Sequence, residues 1–184
     1  MIRWFTLLLA VLLSGCALLQ PAPVAPPAQP ESVPFAMNGR VSINQQGTRH
    51  SAGLRWTHQL QSDEILLLTP LGQTVARVYR DAGNATLDSD GKHYQADDVE
   101  TLMQQVLGWH LPLSNLHHWV LGLPADHSPE HIERDDGGRI SVLSQDGWEV
   151  RYLRYADTLP ARLQLSHEDM QVQLLIDEWD WNPQ

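Results

Sequence analysis

The sequence predicts a mainly β chain with a helical insert, arranged as an incomplete, unclosed antiparallel β-barrel with helices covering one mouth. Three observations predict it. Short apolar runs recur along the chain, each bounded by a Gly, Asn or Asp turn signal. The hydrophobic period changes to helical spacing only in the middle of the chain. Many antiparallel strands joined by short turns make a strongly curved sheet, and two amphipathic helices can then lid or plug it.

The elements follow in order. Phe35 to Ile43 alternates, with Phe35, Met37, Val41 and Ile43 on one side, and ends at Gln46-Gly47. Ala52 to Trp56 puts Leu54 and Trp56 on one side. Glu64 to Thr69 is a continuous apolar run, and Val75 to Tyr79 is the next strand. Asp90-Gly91, between Thr86-Leu87 and Lys92 to Gln95, is a hairpin signal. At Asp97-Asp98-Val99-Glu100 an Asp cap is followed three residues on by Glu, a capping-box variant. Val99, Leu102, Met103, Val106 and Leu107 then recur at helical spacing, up to Gly108. A shorter helix is expected over Ser114 to Leu121, stopped by Gly122-Leu123-Pro124. Asp126 to Gly138 reads as an acidic, solvated loop. Strands resume at Arg139 to Leu143, Trp148 to Tyr155, Ala161 to Ser166 and Met170 to Trp179, for about ten in all.

The formal net charge is −10 and Lys92 is the only lysine. A nucleic-acid or anionic-lipid surface would need the opposite sign, so neither partner is expected. Residues 35–184 suit one domain with a sizeable core. Residues 1–15 carry Arg3, an apolar run from Trp4 to Leu13, and small residues before Cys16. That run is shorter than the roughly 20 residues a spanning helix needs, and it reads as a secretory signal. Leu13-Ser14-Gly15-Cys16 resembles the lipobox of bacterial lipoproteins, in which the Cys is diacylated and the signal is cut before it. Cys16, the only cysteine, is therefore the expected lipid anchor, and the mature chain forms no internal disulfide. In such lipoproteins an Asp after the Cys is an inner-membrane retention mark. Ala17 stands there instead, which implies the outer membrane, with the body facing the periplasm. Residues 16–34 hold six of the twelve prolines and read as an extended linker, reaching roughly 50 Å at about 3.1 Å per residue.

Catalytic signatures are missing. The chain has no Gly-x-Ser-x-Gly nucleophile elbow and no phosphate or dinucleotide loop. His167-Glu168-Asp169-Met170-Gln171 begins like a zinc-protease helix but has Gln where the second His belongs, and it reads as a turn. His117 and His118 read as surface residues. No enzyme, cofactor or metal site is supported. What remains is apolar surface: Leu66-Leu67-Leu68 is apolar on both faces of its strand, and six tryptophans follow Cys16. An ordinary core and a lipid-binding cavity both fit this composition.

Leu66 to Thr74 (LLLTPLGQT) and Tyr94 to Pro124 (YQADDVETLMQQVLGWHLPLSNLHHWVLGLP), together with the lipobox, resemble the LolB family of outer-membrane lipoprotein receptors. The second segment is the more specific. The resemblance implies an unclosed barrel that encloses a hydrophobic cavity for acyl chains. It also implies acceptance of acylated lipoprotein cargo from a LolA-like periplasmic carrier and insertion into outer-membrane phospholipid. In such proteins an exposed Leu in a loop aids delivery, and the matching residue here is Leu71 in Thr69-Pro70-Leu71-Gly72. Alternation nominates Val41, Ile43, Leu54, Trp56, Leu66 and Leu68 as cavity lining, with the register open to a one-residue slip. Met103 is an adaptable addition on the helix. A monomer is expected, since it leaves the mouth free. Two other readings stay open: a passive scaffolding lipoprotein and a lipid-acting hydrolase.

Overall fold

A computed structural model describes residues 26–108, 111–126 and 128–183; Cys16, the signal segment and most of the linker lie outside the described residues. Eleven strands form one sheet. They are β1 (Phe35–Gln45), β2 (Thr48–Gln59), β3 (Ser62–Leu68), β4 (Thr74–Asp81), β5 (Asn84–Ser89), β6 (Lys92–Ala96), β7 (Glu130–Arg134), β8 (Ile140–Gln145), β9 (Trp148–Ala156), β10 (Leu159–His167) and β11 (Met170–Asp180). Helices α1 (Val99–Leu107) and α2 (Leu113–Val120) lie between β6 and β7 in the chain. A single 3-10 turn at Pro30–Ser32 interrupts the expected extended linker.

The spatial order is β6-β5-β4-β3-β2-β1-β11-β10-β9-β8-β7, so each half of the chain is an up-and-down meander. The first and last strands join the halves, with Val41 opposite Leu174 and Ile43 opposite Val172. Strands β6 and β7 are the two edges and do not pair with each other, which leaves the sheet unclosed. Local chemistry sets the hairpins. Gln46-Gly47, Asp90-Gly91 and Asp146-Gly147 each have positive φ at both positions, the turn whose twist matches that of the flanking strands.

Register decides which face is inside. In β1, Phe35, Met37, Val41 and Ile43 are buried on one face, as the alternation predicts. In β11 the even residues Met170 to Ile176 are buried. An extra residue at Asp177, where the pairing jumps from Gly39–Ile176 to Asn38–Glu178, then shifts the phase and sets Trp179 opposite Met37. Gly39 permits the close approach there, since a Cβ on it would lie 2.1 Å from the Leu175 carbonyl oxygen.

Both helices pack on the inner face. Asp98, one residue later than the expected cap, accepts from the Thr101 amide at 2.7 Å, and Gly108 ends α1 at φ 70°. Glu100 does not close a capping box. Its carboxylate accepts from the Ser114 amide at 3.0 Å and the Ser114 hydroxyl at 2.7 Å, so α1 supplies the cap that Pro112 cannot give α2. Leu113, Leu116, Trp119 and Val120 of α2 are buried. Gln145 holds the far end of that helix. Its side-chain oxygen accepts from Trp119 Nε1 and the Ala125 amide, both at 2.9 Å, and its nitrogen donates to the Ala125 carbonyl at 2.8 Å. The acidic segment after α2 is not all loop, because Glu130–Arg134 forms the edge strand β7. Its charged residues suit a strand that must not pair with other chains.

Candidate functional site

The strand residues nominated for the cavity divide. Val41, Ile43, Leu54 and Trp56 face inward and are buried, as is Met103 on α1. Leu66 and Leu68 do not join them. Pairing sets Leu66 against Arg55 and Leu68 against Gly53, on the outer face, whereas Ile65 lies opposite Trp56 and Leu67 opposite Leu54. The inner face of β3 is therefore Asp63, Ile65 and Leu67, one residue out of phase with the nomination. An apolar triplet leaves that phase undetermined; the neighbouring strands decide it.

The interior is largely filled. Where the inner face meets the starts of both helices, Trp56, Asp63, Ile65, Val78, Arg80, Val99 and Leu113 close on one another and leave no room for even a water molecule. The hydrophobic cavity expected from the sequence is therefore closed in this structure, and an acyl chain enters only if helix side chains move aside. A broader depression beside the β8–β9 turn is open and mixed in polarity, with Glu130, His131, Asp146 and Trp148 in its wall.

One inward row is polar, and it was not nominated. His58, Asp63 and Arg80 are successive partners across β2, β3 and β4. Asp63 is only 4% exposed. Its Oδ1 accepts from Trp56 Nε1 at 2.7 Å and lies 2.8 Å from His58 Nδ1, which carries the donated proton. Arg80 Nη2 forms an ion pair with Oδ2. Burial alone would raise the Asp63 carboxyl; the His58 hydrogen bond and the Arg80 charge outweigh it and hold it below the usual carboxylate range. The signal was present in the sequence: the alternation of Leu54 and Trp56 continues to His58, and Asp63 faces it across the Leu60-Gln61 turn.

The surface reading of His117 and His118 is also corrected. Both are half-buried. The His117 ring stacks on His58 at 5.0 Å between centroids and lies 3.8 Å from the His118 ring. Desolvation, with His118 and His58 nearby, pushes His117 down to about 4. Burial also lowers His118, against the pull of Asp126 and Glu31.

Leu71 lies at the other end of the sheet. Gly72 N donates to the Thr69 carbonyl at 2.9 Å, Thr69 N donates to the Gln73 carbonyl at 2.8 Å, and Gly72 takes φ 81°. This is a three-residue hairpin loop closed by a left-handed glycine. It leaves Leu71 at the tip, 87% exposed.

A family model described as outer membrane lipoprotein LolB matches residues 33–179. The chain belongs to the LolB family. It is 43% identical to the outer-membrane lipoprotein LolB of Chromobacterium violaceum over 97% of this chain and 99% of that one. It is 38% identical to the LolB of Nitrosomonas europaea, over 85% and 77% of the two chains. Among solved structures, a LolA superfamily protein from Nitrosomonas europaea overlays with a TM-score of 0.54 at 8% identity, covering 83% of this chain and 87% of that one. A DUF1329 family protein from Desulfovibrio piger also gives 0.54, over 81% and 85%. At such identities the likeness concerns the fold of this chain alone.

Proposed function

We propose that this LolB family chain is an outer-membrane receptor, anchored through Cys16 and facing the periplasm. In this reading it accepts acylated lipoproteins from a LolA-like carrier and passes them to the membrane's inner leaflet. The observation that carries the reading is the cover of the inner face. An apolar concave face, from Val41 and Leu174 to Trp56 and Val78, is covered by two short helices, and among the described residues no second sheet packs on it. Helices can be displaced from such a face without breaking a single strand pair. Trp119 and Gln145 anchor the end of α2, while Val99 and Leu113 at the starts of the helices rest on apolar contacts with the sheet, so in this reading chains enter beside those starts as the helices move aside.

Energetics favour transfer from cavity to cavity. Each methylene exposed to water costs about 0.8 kcal/mol, so acyl chains do not cross bulk solvent freely. No nucleotide is needed if the receiver holds the chains better than the donor. The exposed Leu71 supports the delivery step, because an apolar tip on a loop gains by entering lipid.

The test mixes the full chain carrying Cys16→Ala with a carrier loaded with labelled lipoprotein, without nucleotide. Label is expected to move to this chain, and an apolar dye bound beforehand is expected to be displaced. Retention of all label on the carrier overturns the receptor reading in favour of a scaffolding lipoprotein.

A further inference from the structure

The inner face carries a charge pair that an acyl-chain container does not need. Buried ion pairs are costly to desolvate, and well-packed apolar residues often replace them without loss. Here the pair sits at the seam where the sheet meets the starts of the helices: Asp63 and Arg80 line it together with Trp56, Ile65, Val78, Val99 and Leu113, and displacing the helices would uncover it.

The Arg80 side chain is only partly satisfied. Its Nη2 meets Asp63, but its Nε is buried and has no hydrogen-bond partner. A guanidinium offers five donors and no acceptor. The missing partner is therefore an acceptor, and a hydrocarbon tail has none. We propose that Arg80, positioned by Asp63, is a subsite for the ester carbonyl oxygens at the head of diacylglyceryl cargo. The proposal rests on the receptor reading above and deepens it.

Charge balance selects the carbonyl over an anion. Asp63 already neutralises Arg80, and its acceptor-only carboxylate repels a phosphate brought beside it. A neutral carbonyl takes the free donor without upsetting that balance. Geometry adds a direction. Along β4 the inward residues run Arg80, Val78, Ala76, toward the loop that carries Leu71. A head held at Arg80 lays its tails along Ile65 and Val78, toward the end of the molecule that presents the apolar tip. The span from Arg80 to Thr74 is about 20 Å at the usual strand rise.

Two probes of equal alkyl length test the subsite on the full chain carrying Cys16→Ala. One is a diacylglyceryl-cysteine dipeptide with ester links, and the other is its dialkyl ether counterpart. The ester probe is expected to bind about tenfold tighter, the scale of one hydrogen bond to a charged donor. Arg80→Met is expected to erase that preference by weakening the ester probe alone. The paired variant Asp63→Leu/Arg80→Met removes both charges and guards against misfolding from a stranded carboxylate; it is expected to bind both probes equally. Equal binding by the unsubstituted site, or equal weakening of both probes by Arg80→Met, overturns the subsite while leaving the receptor reading intact. Failure of the unsubstituted site to bind either probe overturns both.

Discussion

The two ends of β3 reverse the usual rule of polar outside and apolar inside. At its start, Asp63 is a carboxylate with 4% exposure, roofed by Trp56, His58 and Arg80. Just past its end, Leu71 is an alkyl side chain with 87% exposure. Between them Ile65 and Leu67 behave as an ordinary inward face. Three other hairpins, at Gln46-Gly47, Asp90-Gly91 and Asp146-Gly147, end in polar turns, as folding alone would choose, whereas the Leu60-Gln61 turn carries a second, less exposed leucine, at 64%. The contrast teaches that the two departures from the folding optimum are the places to test for ligand contact under the proposed receptor reading. One departure is held by neighbours, and the other is held by nothing.

The comparison breaks first at Asp63. Asp63→Ala strands Arg80 and His58 and is expected to cost about 3–5 kcal/mol in a denaturant titration, whereas Asp63→Leu/Arg80→Met recovers most of the loss. A cost below about 1 kcal/mol for the single variant means the pair is effectively solvated. The middle of the strand is next. Ile65→Ala is expected to lose about 2–4 kcal/mol, and its neighbour Leu66→Ala far less, because it faces outward. Equal losses would refute the register.

An acid titration gives a smaller effect. His117 is neutral in the fold down to about 4, whereas the unfolded chain takes that proton near 6.5. Stability therefore falls as pH drops from 6.5 toward 4, and the lowered Asp63 carboxyl extends the loss into stronger acid. The groups around His117 are His58, His118, Asp63 and Arg80. Unfolding midpoints measured across this window should decline less in His117→Gln, and parallel curves would exclude His117 as the source. The smallest change in stability belongs to Leu71→Glu, within about 0.5 kcal/mol. That variant should still accept cargo yet fail to deliver it to liposomes; normal delivery removes the loop from the mechanism.

The sequence by itself determined the order of most elements, since those rest on local rules. Paired positive-φ turns mark three hairpins, 3.6-residue spacing marks α1 and α2, and Gly108 ends the first helix. It also determined that Leu71 stands at a tip, because Pro70 and Gly72 close the loop around it. Other elements were harder to read. Edge strand β7 carries EHIER and shows no clear alternation, since only Ile132 is partly buried and its other residues on both faces are exposed. The tertiary structure alone decided that Leu66 and Leu68 face outward, that His117 lies against His58, and that the helices fill most of the hollow. The physical reason is range. Turns and caps are settled within a few residues, whereas strand phase and the filling of an interior depend on partners brought together from distant parts of the chain.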